Sequence, residues 1–326
     1  MISTMTNRFR TKMECVVAIW NNFWYRPIST RILAAFRILF GLLLIQFVVL
    51  LMPDFFVWFG KNGIVASNTI NSWQPYLRFN ILNLFPNSDL WLITVFAFFI
   101  IAAICLTIGF LTRFSSIVVF LCLISFHARD YLIINSGDNF MRLLSFWLIF
   151  SPAGQSFSID NWLTKRNNIK RQNSQTIDNK AEPWAQRMMQ INMALLYAQA
   201  FYKKIGGKLW QDGSAVYYSS HMEDMHRFPF VYLFDHLWTC KLLTWCTLGI
   251  EFALFTLVWV KPLRYYVLAL GTIMHLTIDW TMNIPQFEWI MIYSYVLFID
   301  PPDLERFLSL VNKQVLKKSV NKSQFN

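Results

Sequence analysis

The sequence predicts an all-α integral membrane protein, a polytopic bundle of about eight membrane-spanning helices with capping loops on its outer side. Of its 326 residues, 56% are apolar and only 14% are charged, whereas a soluble globular domain has about 25% charged residues. Residues 90–112 contain no Asp, Glu, Lys, Arg or His, and about 20 apolar residues suffice to cross a bilayer as a helix. Weaker runs of the same kind recur along the chain.

The apolar runs define eight predicted spans, each separated from the next by a polar segment. In chain order the spans are 32–52, 90–111, 114–131, 140–151, 186–202, 238–260, 263–283 and 287–299. The fourth and the eighth are short, which leaves three alternatives: they are tilted, they extend past these limits, or they are re-entrant. The long loops 53–89 and 205–237 are rich in aromatic residues and are expected to cap the bundle.

The distribution of basic residues predicts the orientation of the bundle. Membrane proteins concentrate Lys and Arg in their cytoplasmic loops. If both termini are cytoplasmic, the inner segments hold 19 of the 29 Lys and Arg residues. The net charge of +11 is then explained by topology without a nucleic-acid partner. We therefore expect a multi-pass protein of the cell membrane, in contact with lipid, with both termini in the cytoplasm.

The predicted spans also set the domain organisation. Residues 1–31 form a cytoplasmic N-terminal segment, residues 32–300 the transmembrane domain, and residues 301–326 a basic cytoplasmic tail. A polar, basic stretch at about 164–180 has no apolar periodicity, which is typical of a flexible cytoplasmic linker. The five cysteines form no CxxC pair, which argues against a zinc site or a disulfide framework.

Ionisable side chains within the spans are the candidates for catalysis, because an unpaired charge in a bilayer costs several kcal/mol. Glu251 lies near the middle of the sixth span. His275 and Asp279 are four residues apart on the seventh span and share a helix face. A carboxylate so placed can orient the imidazole, and a purely structural polar contact explains the spacing equally well.

Lys203 and Lys204 end the fifth span on the predicted outer side. Adjacent helical residues point about 100° apart, so we expect one lysine to reach the lipid headgroups and the other to face the bundle. A poorly solvated lysine of this kind can act as a base or a nucleophile.

Polar residues around the outer loops are the candidates for substrate binding. Asn135 and Asp138 lie in a predicted turn just before the fourth span, where two alternatives stand: they cap its helix, or they line an outward-facing pocket. Arg142 is one helical turn after Asp138, at salt-bridge spacing. Arg37, in the first span, is expected to make a structural ion pair or carbonyl contact. The full set of candidate substrate-binding residues is Asn135, Asp138, Arg142, Lys203, Trp210 and Asp212.

Five short motifs, in order, resemble a known family. They are Phe36-Arg37-Ile38-Leu39-Phe40-Gly41, Gly109-Phe110-Leu111-Thr112-Arg113, Asn135-Ser136-Gly137-Asp138, Phe157-Ser158-Ile159-Asp160, and Tyr202-Lys203-Lys204 followed by Trp210-Gln211-Asp212-Gly213. Over about residues 27–300 the chain resembles the horizontally transferred transmembrane (HTTM) domain family. Vitamin K-dependent gamma-carboxylase belongs to that family, and so does a membrane component that matures the sporulation-delaying toxin peptide.

The resemblance implies a reduced quinone as cofactor, with Lys204 in the position of the lysine that deprotonates it. By the same resemblance, His275 is similar to a membrane histidine that lies late in the carboxylase bundle. Gly137, however, stands where the carboxylase has a histidine, and the carboxylase's large lumenal domain has no counterpart here. Gamma-carboxylation is therefore not part of our expectation.

Two hypotheses about function remain. The first is a membrane enzyme with an outward-facing lysine pocket that acts on a quinone, a lipid or a peptide, with His275, Asp279 and Glu251 as an intramembrane relay for Lys204. The second is a non-enzymatic subunit for maturation or export of a small secreted peptide toxin. A transporter is a third possibility, but interrupted spans typical of repeat transporters are not obvious. Convergence of Lys204 and His275 around one cavity would favour the enzyme.

Overall fold

The protein is described by a computed structural model that covers residues 2–65, 69–70, 72, 79–131, 133–170, 179–225, 227–228, 231–284 and 286–310. The helices of this part are, in chain order, α1 (Ile2–Tyr25), α2 (Arg31–Leu51), α3 (Phe55–Phe59), α4 (Asp89–Ile108), α5 (Thr112–Arg129), α6 (Ser136–Phe150), α7 (Ile159–Lys170), α8 (Trp184–Ile205), α9 (Lys208–Gln211), α10 (Ala215–Ser220), α11 (Val231–Phe234), α12 (Leu237–Thr256), α13 (Lys261–Thr281), α14 (Phe287–Ser294) and α15 (301–310). Two short strands, β1 (Ile28–Ser29) and β2 (Lys180–Ala181), pair in antiparallel orientation.

Four of these helices are long and apolar enough to cross a membrane: α2, α4, α5, and α12 together with the 3₁₀ turn that follows it. They coincide with the first, second, third and sixth predicted spans, which confirms a helical membrane bundle. The other predicted spans coincide with α6, α8, α13 and α14. With 15 and 8 residues, α6 and α14 are shorter than a straight crossing requires. Eight spans therefore stay a prediction.

The helices pack around an aromatic and aliphatic core. Helix α2 packs along α4, α4 along α5, and α8 along α12. The Phe55 and Phe96 rings stack with centroids 4.2 Å apart, and Phe59 meets Phe126 edge-on at 5.2 Å. Gly41 permits the close approach of α2 and α4, since a Cβ there would lie 2.2 Å from the Thr107 Oγ1.

Arg37 holds one end of this bundle together. Its side chain is completely buried and donates to the carbonyl oxygens of Ala153 at 3.1 Å and Phe157 at 2.5 Å. Gly109 adopts a positive φ of 72°, and a Cβ there would lie 2.2 Å from the Arg37 Nη1. The carbonyl-contact alternative for Arg37 is thus the one that the structure shows.

Asp160 completes the same assembly. Its carboxylate accepts hydrogen bonds from the backbone N–H groups of Leu111 and Thr112, both at 2.8 Å, and from the Thr112 hydroxyl at 2.7 Å. Three of the sequence motifs therefore meet at one place. We call this assembly the Arg37 connector; its members are Arg37, Gly109, Thr112, Ala153, Phe157 and Asp160.

The segments outside the predicted spans are more helical than expected. Residues 164–170 continue α7, where a flexible linker was expected, whereas residues 171–178 lie outside the described residues. The first ten residues of the predicted tail form α15, which is tied to α2 by the Arg31–Glu305 ion pair at 3.1 Å. Residues 311–326 lie outside the described residues.

The loop 205–237 folds back onto α12. The Thr244 hydroxyl donates to the Gly213 carbonyl at 2.9 Å and accepts from the Val216 N–H at 3.1 Å. Helices α9, α10 and α11 lie in this loop, and α10 and α11 pack against α12. The described part of the loop is therefore a packed cap.

Candidate functional site

Lys204 lies at the end of α8 and turns toward α12. Its Nζ forms an ion pair with the Glu251 carboxylate, and the same Nζ lies 4.7 Å from the centroid of the Trp210 ring. Glu251 is buried, whereas Lys203 is exposed. The two lysines therefore diverge as helix geometry requires, and Lys204 is the one that faces the bundle.

His275 on α13 lies between two buried partners. Its Nδ1 contacts the Glu288 carboxylate at the start of α14, and its Nε2 lies 2.6 Å from the Tyr197 Oη. Tyr197 also hydrogen-bonds to the Tyr295 hydroxyl at 2.6 Å. All four side chains are buried, so the imidazole is fixed on both sides.

The expected contact between His275 and Asp279 is replaced by other partners. Asp279 accepts a hydrogen bond from the Arg227 Nη1 at 2.9 Å, and Glu288 takes the place at His275 that we assigned to Asp279. Residues four apart on a helix share a face, but neighbouring helices decide which group each side chain meets. In this bundle α14 brings Glu288 against His275.

The two ion pairs belong to one electrostatic cluster. Glu251 interacts with His275, and Glu288 interacts with Lys204. The Glu251 Oε2 and the Glu288 Oε1 are buried and have no hydrogen-bond partner among the described residues. We call this group the buried cluster; its members are Lys204, Glu251, His275, Glu288, Tyr197 and Tyr295.

A cavity of about 420 Å³ opens next to this cluster, which is within the usual size range of small-molecule pockets. Apolar side chains from α2, α3, α5 and α14 form much of its wall, among them Phe47, Trp58, Phe126 and Trp289. The buried cluster is not part of the lining. Only one side of the cluster adjoins the wall in the chain: Glu288 directly precedes Trp289, and Asp279, one helical turn after His275, also lines the cavity.

The polar part of the cavity contains three of the candidate residues. Asn135, Asp138 and Asp279 all line it. Asn135 and Asp138 also cap α6 reciprocally: the Asn135 side chain accepts from the Asp138 N–H at 3.1 Å, and Asp138 accepts from the Asn135 N–H at 2.9 Å. Asn135 and Asp138 therefore both cap α6 and line the cavity.

The remaining substrate-binding candidates lie elsewhere. Arg142 donates to the Asn139 amide oxygen at 2.7 Å. Asp212 accepts from the Ser214 hydroxyl and N–H within the loop, and these hydrogen bonds lower the pKa of the Asp212 carboxyl below its usual range. Asp212 thus stabilises a turn of the cap.

Two buried side chains of the cavity were missed by the sequence reasoning. His127 and Gln286 are each only 4% exposed, and both line the cavity. None of their four side-chain nitrogen and oxygen atoms has a hydrogen-bond partner in the described part of the chain. His127 could have been found, because it is an ionisable residue inside a predicted span.

Glu288 was missed as well, although it lies inside the eighth predicted span. The same cost of burying a charge that selected Glu251 applies to it. Tyr197 and Gln286 carry no comparable signal, since neither is ionised at neutral pH and the latter precedes its helix.

Gly137 explains how α6 and α14 come together. A Cβ on Gly137 would lie 2.8 Å from the Phe287 Cα, and the Phe287 ring meets the His275 ring at a centroid distance of 6.0 Å. A side chain at position 137 therefore does not fit this contact without a shift of the Phe287 backbone.

Comparisons with known proteins add one finding. A family model described as HTTM domain matches residues 25–302. No curated protein and no solved structure matches the chain. Within the described ranges, no group of three or more His, Cys, Asp or Glu residues could hold a metal ion.

Proposed function

The chain belongs to the HTTM domain family, and from its buried cluster we propose that it is a membrane enzyme that moves a proton to or from a ligand held in the cavity. The observation that carries this proposal is the series of buried side chains that can exchange protons beside the cavity wall. Lys204 contacts Glu251, and Tyr295, Tyr197, His275 and Glu288 form a continuous set of hydrogen bonds.

Each member of the cluster has a role in this proposal. Lys204, held by Glu251 and by the Trp210 ring, is the base that finally accepts the proton; it does not line the cavity, so it does not attack the ligand itself. His275 carries the proton onward, because its two ring nitrogens contact Glu288 and Tyr197 and an imidazole can accept a proton at one nitrogen while it releases one from the other. Asp279, which we predicted as part of the relay, lies at the cavity wall with Arg227, where it contributes charge.

The cavity is the proposed place of the ligand, with Asn135 and Asp138 at its polar side. A reduced quinone, the cofactor implied by the family resemblance, fits this donor set. Trp58 and Trp289 offer aromatic contact, and His127 offers an unpaired imidazole within the same wall. When bound, such a quinol supplies reducing equivalents and a weakly acidic hydroxyl proton.

We place the enzyme in the cell membrane. Both termini are in the cytoplasm in this proposal, and the cavity and the loop 205–237 are on the outer side. Lipid surrounds the apolar helices. A lipid or a peptide that reaches the cavity from outside is the proposed acceptor.

A second candidate function is a non-enzymatic subunit for maturation or export of a small secreted peptide. One observation favours it: Lys204, His275 and Arg227 are each paired with a carboxylate, to Glu251, Glu288 and Asp279. Paired charges of this kind also occur in structures where they only hold helices together.

Variants of Lys204 separate the two candidates. Lys204→Met leaves Glu251 buried without its cation, which costs about 3 to 5 kcal/mol. The double variant Lys204→Met/Glu251→Gln removes both charges and is expected to regain most of that stability. Lys203→Met, on the adjacent exposed lysine, is the matched control.

The assay uses protein in lipid nanodiscs, supplied with membrane-lipid extract, oxygen and a reduced naphthoquinone. Quinol consumption is followed by absorbance, and new lipid or peptide masses by mass spectrometry. We expect Lys203→Met to retain the reaction and the stable double variant to lose it. An active double variant would reject Lys204 as the base, whereas no reaction above the protein-free background from the native protein would favour the non-enzymatic subunit.

A further inference from the structure

We propose that His127 and Gln286 recognise the head of an uncharged amphipathic molecule that carries a hydroxyl or amide group. The apolar body of this molecule lies against the rest of the cavity. The inference deepens the proposed function, because it concerns the ligand of the same cavity, but it makes a separate claim about binding.

The unpaired polar atoms define what this head must offer. A neutral imidazole has one donor and one acceptor, and a primary amide has both kinds of group. Leaving such atoms buried without partners lowers the stability of the protein. A hydroxyl or an amide is both donor and acceptor, so it pairs with either side chain and removes this cost.

The charges of the wall exclude an anionic head. Asp130, Asp138 and Asp279 line the cavity, and like charges at this depth repel strongly. Arg227 is the arginine among the described lining residues, and its guanidinium is already paired with Asp279 at 2.9 Å. Asp279 and Arg227 offset one another, so a phosphate or carboxylate head would meet two further carboxylates, Asp130 and Asp138, and no free cation among the described lining residues.

The backbone at Gln286 supports a role for its side chain. Gln286 adopts a φ of 66° immediately before α14. This left-handed conformation is unfavourable for any residue that has a side chain. Glycine would adopt this conformation at lower cost. The chain nevertheless carries a glutamine here, whose buried side chain forms part of the cavity wall.

Binding is measured by tryptophan quenching in nanodiscs with two probes of equal chain length. Both carry bromine at the end of an undecyl chain; one is bromoundecanol and the other is bromoundecanoic acid. Bromine quenches nearby indole fluorescence, and Trp58→Phe identifies the part of the signal that comes from Trp58 in the cavity wall. His127→Leu and Gln286→Met remove the polar atoms with little change in volume.

We expect the alcohol to quench Trp58 with an apparent Kd at least tenfold lower than that of the acid. Each variant should weaken binding of the alcohol about three- to tenfold, as expected for one lost hydrogen bond. His221→Phe, a loop histidine paired with Asp235 at 3.5 Å, is the control and should bind as the native protein does.

Thermal unfolding distinguishes loss of recognition from loss of structure. Without probe, His127→Leu and Gln286→Met should unfold at or above the native midpoint, because they remove unpaired buried groups. Equal binding of the two probes, native affinity in both variants, or a lowered midpoint together with weak binding would each overturn the inference. Because this experiment measures binding and not activity, its outcome is independent of the Lys204 test. If turnover depends on Lys204 but the binding experiment fails, only the proposed head-group site is rejected.

Discussion

The Arg37 connector and the cavity both contain buried polar side chains, but they satisfy them differently. At the connector, Arg37 and Asp160 together make five hydrogen bonds to groups of other segments, although the Arg37 Nε has no partner among the described residues. At the cavity, His127 and Gln286 make none with the described residues. A satisfied polar group stabilises the fold, whereas an unsatisfied one lowers stability and is explained by a ligand. The contrast separates architecture from function within one bundle.

The largest effect is expected for Arg37→Met. The substitution removes a buried cation and leaves the Ala153 and Phe157 carbonyls without their donor. Hydrogen bonds to charged groups contribute about 1.5 to 3 kcal/mol each, so we expect a loss of at least about 3 kcal/mol. Urea unfolding in detergent micelles measures it, and Arg113→Met, at a nearby exposed site, is the control. A native-like unfolding curve for Arg37→Met would show that the connector contributes little to stability.

A smaller loss is expected for Asp160→Asn. The amide retains one acceptor oxygen, so it cannot serve the Leu111 N–H and the two Thr112 donors together. We expect a cost of about 2 kcal/mol, because charge-assisted bonds are replaced by fewer neutral ones. Asp224→Asn, on an exposed 3₁₀ turn, should leave the unfolding free energy unchanged; equal losses in the two variants would show that the Asp160 contacts contribute little.

Gly137→Ala tests the close contact at the cavity end. Its Cβ would lie 2.8 Å from the Phe287 backbone, and overpacking of this kind costs about 1 to 3 kcal/mol. Gly249→Ala is the matched helical control, since a Cβ there meets nothing within 4 Å, and it should raise stability by up to about 1 kcal/mol. Equal midpoints for the two variants would mean that α6 and α14 are further apart than described.

The sequence predicted the connector better than the cavity. Apolar runs located the long helices, and the cost of a buried charge identified Arg37, Glu251 and His275 as residues with partners. The partners themselves were harder to predict, because Glu288 reaches His275 only through the packing of α14 on α13. Gln286 could not be predicted, since an uncharged side chain in a loop gives no pattern.

The contrast between the two regions is that the polar groups of the connector serve the fold, whereas the unpaired His127 and Gln286 side chains of the cavity serve a ligand. The most direct test is the unfolding midpoint of His127→Leu in detergent without added ligand, with Arg37→Met as the reference. We predict a midpoint equal to or above that of the native protein for His127→Leu and a large decrease for Arg37→Met. A decrease for His127→Leu comparable to that of Arg37→Met would show that the imidazole holds the fold together and would contradict the account.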